Sequence, residues 1–464
     1  MKNHMNIVIR KTLLTHITTV ISSMVIGLLL PKVLSVESFG YWQYFAFFAG
    51  CMELLLFGAG TGLYLKYGGC EYNKINRWLV KKVLYYWLAV DLLIAIVFGT
   101  SIPWLFEDTD KQYIFYLLLL GLFVFNLGTF FSYLLQACNR IEDNLHSILV
   151  VNFILIACFS GLIFFQVSNY RDYVYVYLLA HVLRDCVLLY HNRSLFTTSR
   201  GFDANQKSEA ISLFPVFLSG VFLMMADYAI YLLFGIGRLT VESIWGMTTF
   251  SKFSFAMSLV LLGVTFVNQI GLVIFPELKR KAADDQKIFF QKVMKDVDVL
   301  LFFLPVGYFL GTIILDCWLP AYHDSLWYFG VLIPLCIFEG KMAILINPYY
   351  KALRKERLLL LLNMGTLFSG IIMFSLCKYM QTDINAFLAI LVILSIGRNH
   401  FAEYFLTKMM KFVWPTSMLL RRGIYILLFY VIFSCFEAWN GFGAMLVIFI
   451  AFEYKTITRY ILKR

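Results

Sequence analysis

The sequence predicts an all-α integral membrane protein with about fourteen transmembrane helices, and three observations carry that expectation. Of 464 residues, 61% are apolar and only 14% are charged, with a mean hydropathy of +0.76. A water-soluble chain carries about 25% charged residues, and a larger core would still need a solvated shell. The apolar residues arrive in packets of roughly 20, the length a helix needs to cross the hydrocarbon layer. Lys and Arg gather in alternate connections, as the positive-inside rule requires.

Taken in order, the first six packets run Leu13–Leu34, Phe39–Leu65, Leu79–Ser101, Tyr113–Ala137, Leu145–Val167 and Tyr173–Tyr190. The next six run Ile211–Phe234, Ile244–Phe275, Val299–Trp318, Leu326–Tyr350, Leu358–Leu376 and Ala386–Leu406. Gly423–Phe436 and Phe442–Ile461 complete the set. Ten-residue runs of alternating polarity, the mark of a membrane β-barrel, are absent. With the N-terminus inside, about thirty of the basic residues fall in inner segments and about five in outer ones. The outer five are Lys32, Lys111, Arg171, Arg238 and Lys378. A missed or invented helix would scramble that bias downstream, so its persistence predicts an even helix number and two cytoplasmic termini. The first apolar run is too long for the core of a cleavable signal, and no small-x-small site follows it.

The net charge of +11 calls for no nucleic acid, because loop bias and anionic headgroups account for it. The nine cysteines are scattered without a C-x-x-C pair and read as small apolar fillers. No metal site or cofactor is expected. Gly58-Ala59-Gly60-Thr61-Gly62 follows a membrane helix, not a strand, so it reads as close helix packing and not as a phosphate cradle. No Walker A pattern appears, and ATP is not the direct energy source.

The polar segment His191–Ala210 divides a six-helix half from an eight-helix remainder; the other long polar segment is Glu277–Asp298. Leu34-Ser35-Val36-Glu37-Ser38 and Leu239-Thr240-Val241-Glu242-Ser243 match at four positions, with Ser/Thr at the fifth. Each is expected in the outer turn between the first and second helices of its half, which makes the halves parallel repeats about the membrane normal.

The turn Leu30-Pro31-Lys32-Val33-Leu34-Ser35-Val36-Glu37-Ser38-Phe39-Gly40-Tyr41 resembles the first hairpin of Wzx-type polysaccharide flippases. These belong to the multidrug/oligosaccharidyl-lipid/polysaccharide (MOP) exporter superfamily. Gly62–Gly69 resembles the end of that family's second helix, Phe275–Lys279 its exit from the eighth, and Tyr350–Lys355 its exit from the tenth. The resemblance implies two six-helix bundles around a central cavity, here residues 1–195 and 196–410, with two further helices in 411–464. It implies transport, not catalysis. The substrate would be undecaprenyl-pyrophosphate-linked oligosaccharide, flipped across a bacterial inner membrane for O-antigen or other surface polysaccharide, with polysaccharide polymerase machinery as a possible partner.

Ionisable groups inside a bilayer are costly and face a cavity or a partner. Glu53, Asp91 and Asp227 are the candidate coupling or cavity acids, for H+ or Na+. Lys252, Lys341 and Arg398 are the candidate substrate-binding cations. Asp227 and Lys252 fall at similar depth, so the two form a structural pair or open to offer Lys252 to an anion. Glu339 and Lys341 are two apart and do not face each other on a helix. Lys341 therefore needs another partner, and a cavity anion is one candidate. Arg398, and Arg184 beside Asp185, lie where snorkelling is expected, while His181 and His400 read as packing residues. Lipid II flippases carry a cavity arginine in the first helix. This chain has only His16 near there, which argues against lipid II.

A flippase suits the physics. The polyprenyl tail stays in lipid while the pyrophosphate, which hydrocarbon rejects, meets cationic side chains. Two negative charges leaving an interior held 100 mV negative gain roughly 4–5 kcal/mol. The alternatives are a cation-coupled drug antiporter of the same superfamily, expected to have an acidic cavity, and a polymerase or ligase, expected to carry a long catalytic outer loop.

Overall fold

A computed structural model describes residues 2–197, 214–279, 283–411 and 416–461, with side chains from residue 10 onward apart from 266, 268–279, 283–286, 455–457 and 459–461. Among the described residues every regular element is helical. The helices are α1 Lys2–Met24, α2 Val36–Cys51, α3 Ala59–Tyr67, α4 Arg77–Leu105, α5 Thr109–Ala137, α6 Ile141–Phe164 and α7 Tyr170–Asn192. They continue with α8 Phe214–Lys279, α9 Ala283–Trp318, α10 His323–Lys341, α11 Glu356–Met380, α12 Ile384–Met409, α13 Thr416–Cys435 and α14 Ala438–Ile461.

Among the described residues eleven helices are long and apolar enough to cross a bilayer, or twelve when the bent pair α2–α3 counts as one span. Ala438–Tyr454 of α14 is a shorter apolar helix. Large apolar side chains such as Leu92, Leu93, Ile96 and Val97 of α4 point outward, as lipid-facing residues do. The chain is a multi-pass membrane protein. Of the two long polar segments, 198–210 and 280–282 lie outside the described residues.

Two helices widen at proline for the same reason. A proline ring collides with the carbonyl four residues back and supplies no N–H. Ahead of Pro31 a π turn spans Val25–Leu29, and the Leu30 N–H reaches back to the Val25 carbonyl. Ahead of Pro348 a π turn spans Met342–Ile346, and the Asn347 N–H reaches the Met342 carbonyl. The extra residue per turn keeps each helix hydrogen-bonded through the proline.

The α2–α3 pair breaks differently. A 3₁₀ turn, Met52–Leu56, ends in left-handed residues Phe57 (φ 47°) and Gly58 (φ 76°), and the halves bend by 56°. In α8, Gly246 sits at φ 83°, ψ 178°, far from helical values. This corrects the expected turn at Leu239–Ser243, which is helical: Thr240 bonds the Ile236 carbonyl and Ser243 the Thr240 carbonyl. The first copy of the repeat does start a helix, with Ser35 capping the Ser38 N–H. The two copies thus share sequence but not local structure, because the glycine that permits a break lies beyond the second copy.

The chain forms two compact units, Met1–Tyr228 and Ala229–Arg464. In the first, α5 is central, packing against α2, α3, α4, α6 and α7. In the second, α10 is the most buried span, packing against α9, α12 and α13, with α14 on α9.

Candidate functional site

Glu53 stands in the broken turn between α2 and α3. Its Oε1 accepts from the Tyr133 hydroxyl at 2.9 Å and its Oε2 from the Tyr228 hydroxyl at 2.8 Å. Both carboxylate oxygens are thus occupied by tyrosine hydroxyls. Asp227 adds a second, weaker negative influence on Tyr133, and is itself exposed. The turn is anchored by backbone contact. Thr61 donates to the Gly58 and Gly220 carbonyls at 3.1 and 3.0 Å. A Cβ on Gly62 would stand 2.0 Å from the Val216 carbonyl oxygen, and one on Gly220 1.9 Å from that of Gly58. The glycine run serves close packing, as the sequence implied.

Asp91 on α4 is 0% exposed. Its Oδ2 accepts from Asn126 Nδ2 on α5 at 3.2 Å, while Asp91 Oδ1 and Asn126 Oδ1 lack hydrogen-bond partners among the described residues. Arg184 does not snorkel. It pairs with Asp185 at 3.1 Å and reaches the Val124 carbonyl at 3.4 Å, in space left by the missing side chain of Gly128. His181 bonds the Tyr177 carbonyl at 2.8 Å, a packing role.

In the second unit the three candidate cations have carboxylate partners. Lys252 Nζ donates to Asp324 Oδ2 at 2.5 Å, with side chains 23% and 59% exposed, so its partner is Asp324 and not the anticipated Asp227. Asp324 lies in the first turn of α10, where a helix end favours negative charge. Lys341 Nζ donates to Glu403 Oε2 at 2.6 Å. Arg422 donates to the same oxygen at 3.1 Å and to Asp298 at 2.8 and 3.1 Å. The four side chains bring two charges of each sign together in a buried, neutral network joining α9, α10, α12 and α13. Arg398 is buried as well, not snorkelling: it bonds Glu339 and, at 3.1 Å, Asn363, and Ser395 completes Glu339 at 2.7 Å. Glu339 and Lys341 face different partners, as their spacing required. Lys341 directly precedes the π turn of α10, a feature frequent at functional sites.

Sequence reading missed Asp298, Asp324, Glu403 and Arg422. Glu403 was visible as an acid inside the apolar stretch Ala386–Leu406. The other three fall one or two residues outside the apolar packets that begin at Val299, Leu326 and Gly423, where charge draws no attention.

The fold is that of MOP-superfamily transporters. A lipid II flippase, MurJ, in an inward closed conformation aligns with 15% identity and a TM-score of 0.68, covering 99% of this chain and 100% of that one. An inward-facing multidrug resistance MATE family transporter aligns at 13% identity and 0.58, covering 86% and 94%. An outward-facing one aligns at 14% and 0.58, covering 87% and 95%. No protein-family profile and no curated protein sequence matches the chain.

Proposed function

We propose that this chain is a flippase that carries undecaprenyl-pyrophosphate-linked oligosaccharide from the cytoplasmic to the outer leaflet of a bacterial inner membrane by alternating access. The observation that carries the reading is extent: a lipid-carrier flippase matches 99% of the chain, whereas the multidrug transporters match 86% and 87%. Within it, 1–195 and 196–410 are the two transport bundles, 411–464 the appended pair, and both termini are cytoplasmic. Fourteen crossings follow when α2–α3 counts once, α14 crosses, and α8 crosses twice about Gly246. At 1.5 Å per residue the 52 residues Phe214–Thr265 have the length of two crossings.

Lys252 is the cation placed to meet the pyrophosphate, because its partner Asp324 is exposed and readily exchanged for another anion. Lys341 and Arg398 are held by buried carboxylates in this conformation and reach substrate only where those pairs open. Glu53 and Asp227 are the proposed coupling acids, with Asp91 in reserve. Their presence, and the multidrug fold relatives, favour cation-coupled drug antiport as the second reading.

Deletion in the native host tests the assignment. We expect lipid-linked oligosaccharide to accumulate and surface polysaccharide to fall. Normal polysaccharide with heightened sensitivity to cationic drugs would favour antiport.

A further inference from the structure

A cavity of about 470 Å³ opens in the second unit where α9 meets α10 and α13 turns into α14. That is the volume of a drug-sized ligand site. Its floor holds Tyr308 and Thr312, both buried, and their hydroxyls are already used: Tyr308 donates to the Leu326 carbonyl at 3.1 Å and Thr312 to the Phe309 carbonyl at 2.8 Å. The floor therefore offers aromatic and apolar surface, not spare donors. Phe433 and Trp327 form one wall, their rings tilted against each other at 4.6 Å, and Trp439 lies exposed at the mouth.

The rim is acidic. Asp316 and Glu437 line it, and no Lys or Arg does. His323 occupies Asp316 at 2.7 Å, but the Glu437 carboxylate has no partner among the described residues. Anions are therefore repelled. A glycan, polar on every side, would find no spare donors on the floor. An apolar body beneath a positive head fits both levels, since aromatic faces and carboxylates each attract a desolvated cation.

We propose that this pocket binds a lipophilic organic cation, with Glu437 and Asp316 facing the charge and Trp327, Phe433 and Trp439 around the body. The site is separate from the residues proposed above for flipping and does not depend on that reading. Two sources share this chemistry, a soluble amphiphilic cation and an ammonium-headed lipid.

The test is a titration of the full chain in lipid nanodiscs with tetraphenylphosphonium, followed by tryptophan fluorescence and equilibrium dialysis. Neutral triphenylphosphine oxide serves as the comparison probe. We expect saturable binding of the cation, weakened about tenfold or more for the neutral probe and for the Asp316→Asn/Glu437→Gln double variant. Trp439→Ala should weaken it several-fold. These side chains are exposed, so the thermal midpoint should not move, and it serves as the folding control. Discs of phosphatidylglycerol with and without phosphatidylethanolamine separate the sources: weaker probe binding with the amine lipid identifies a lipid occupant, and unchanged binding a soluble one. Absence of saturable binding, equal binding of cation and neutral probe, or full binding by the folded double variant would each overturn the proposal.

Discussion

Lys341 donates to Glu403 across 2.6 Å with both side chains shut away from solvent, at 1% and 0% exposure, and Arg422 shares the same oxygen. A buried pair adds little net stability, but removing one partner strands a charge at a cost of roughly 3–5 kcal/mol. Lys341→Met should therefore leave the network one negative charge in excess and sharply reduce folded protein. Lys341→Met with Glu403→Gln leaves Arg422 balanced by Asp298 and should restore most of it. Fluorescence-detected size-exclusion chromatography reads both. A double variant no better than the single would show that the network is not governed by charge balance.

The glycine contacts give a steric prediction. Gly62→Ala and Gly220→Ala each drive a methyl into a backbone carbonyl that no side-chain rotation can clear. Overpacking costs about 1–3 kcal/mol where neighbours can yield, and the cost here should reach the upper end. Gly161, with nothing within 4 Å of its would-be Cβ, is the control and should accept alanine. Thermal midpoints of the three variants decide it.

Helix periodicity and length were legible because the bilayer imposes them on each segment separately. The helical class, most of the spans and the role of Gly58–Gly62 could be read from composition and spacing alone. Partners were not legible. Asp227 and Lys252 are expected at similar depths, yet Lys252 turns to Asp324, because the rotation of one helix against another is set by packing that no single segment encodes. The same holds for Lys341, whose partner Glu403 is 62 residues away. Arg184 was misread for a local reason: the space it occupies is the absent side chain of Gly128, on another helix. The break in α8 was placed by likeness to an earlier string, whereas left-handed geometry at Gly246 determines it.

Glu53 accepts from two tyrosines on two further helices, so a change of charge there would be felt by both. If Glu53 couples an ion to transport, Glu53→Gln should yield a stable protein whose flipping in proteoliposomes no longer responds to an imposed proton or sodium gradient. Tyr133→Phe removes one donor and should weaken the response without abolishing it. Unchanged gradient sensitivity in Glu53→Gln would move the role to Asp227 or Asp91.

The native cysteines report topology. Cys70, Cys317 and Cys435 are exposed, the first in the connection α3–α4, the second at the end of α9 and the third at the end of α13. With both termini inside and fourteen crossings, Cys70 is cytoplasmic and the other two face outward. Single-cysteine versions should show Cys317 and Cys435 reacting with an impermeant maleimide in spheroplasts, and Cys70 only after permeabilisation. Labelling of Cys70 in intact spheroplasts would break the fourteen-crossing map.

Lys252 supplies the sharpest test of the substrate reading. Its side chain is 23% exposed, against 1% for that of Lys341, so exchanging Asp324 for a pyrophosphate needs no buried charge to be stranded. One charged hydrogen bond is worth about 1.5–3 kcal/mol, or roughly ten- to a hundredfold in rate or affinity. Lys252→Ala should reduce oligosaccharide flipping by about tenfold or more at unchanged abundance, and Lys252→Arg should retain much of it. Asp324→Asn separates structure from recognition: it frees the lysine, so flipping should persist and affinity for the anionic head should rise. If Asp324→Asn instead matches Lys252→Ala in lost flipping, the pair itself holds α8 to α10 and the lysine has no separate part in binding. Flipping of a lipid-linked oligosaccharide in proteoliposomes, with abundance checked by gel filtration, distinguishes the two.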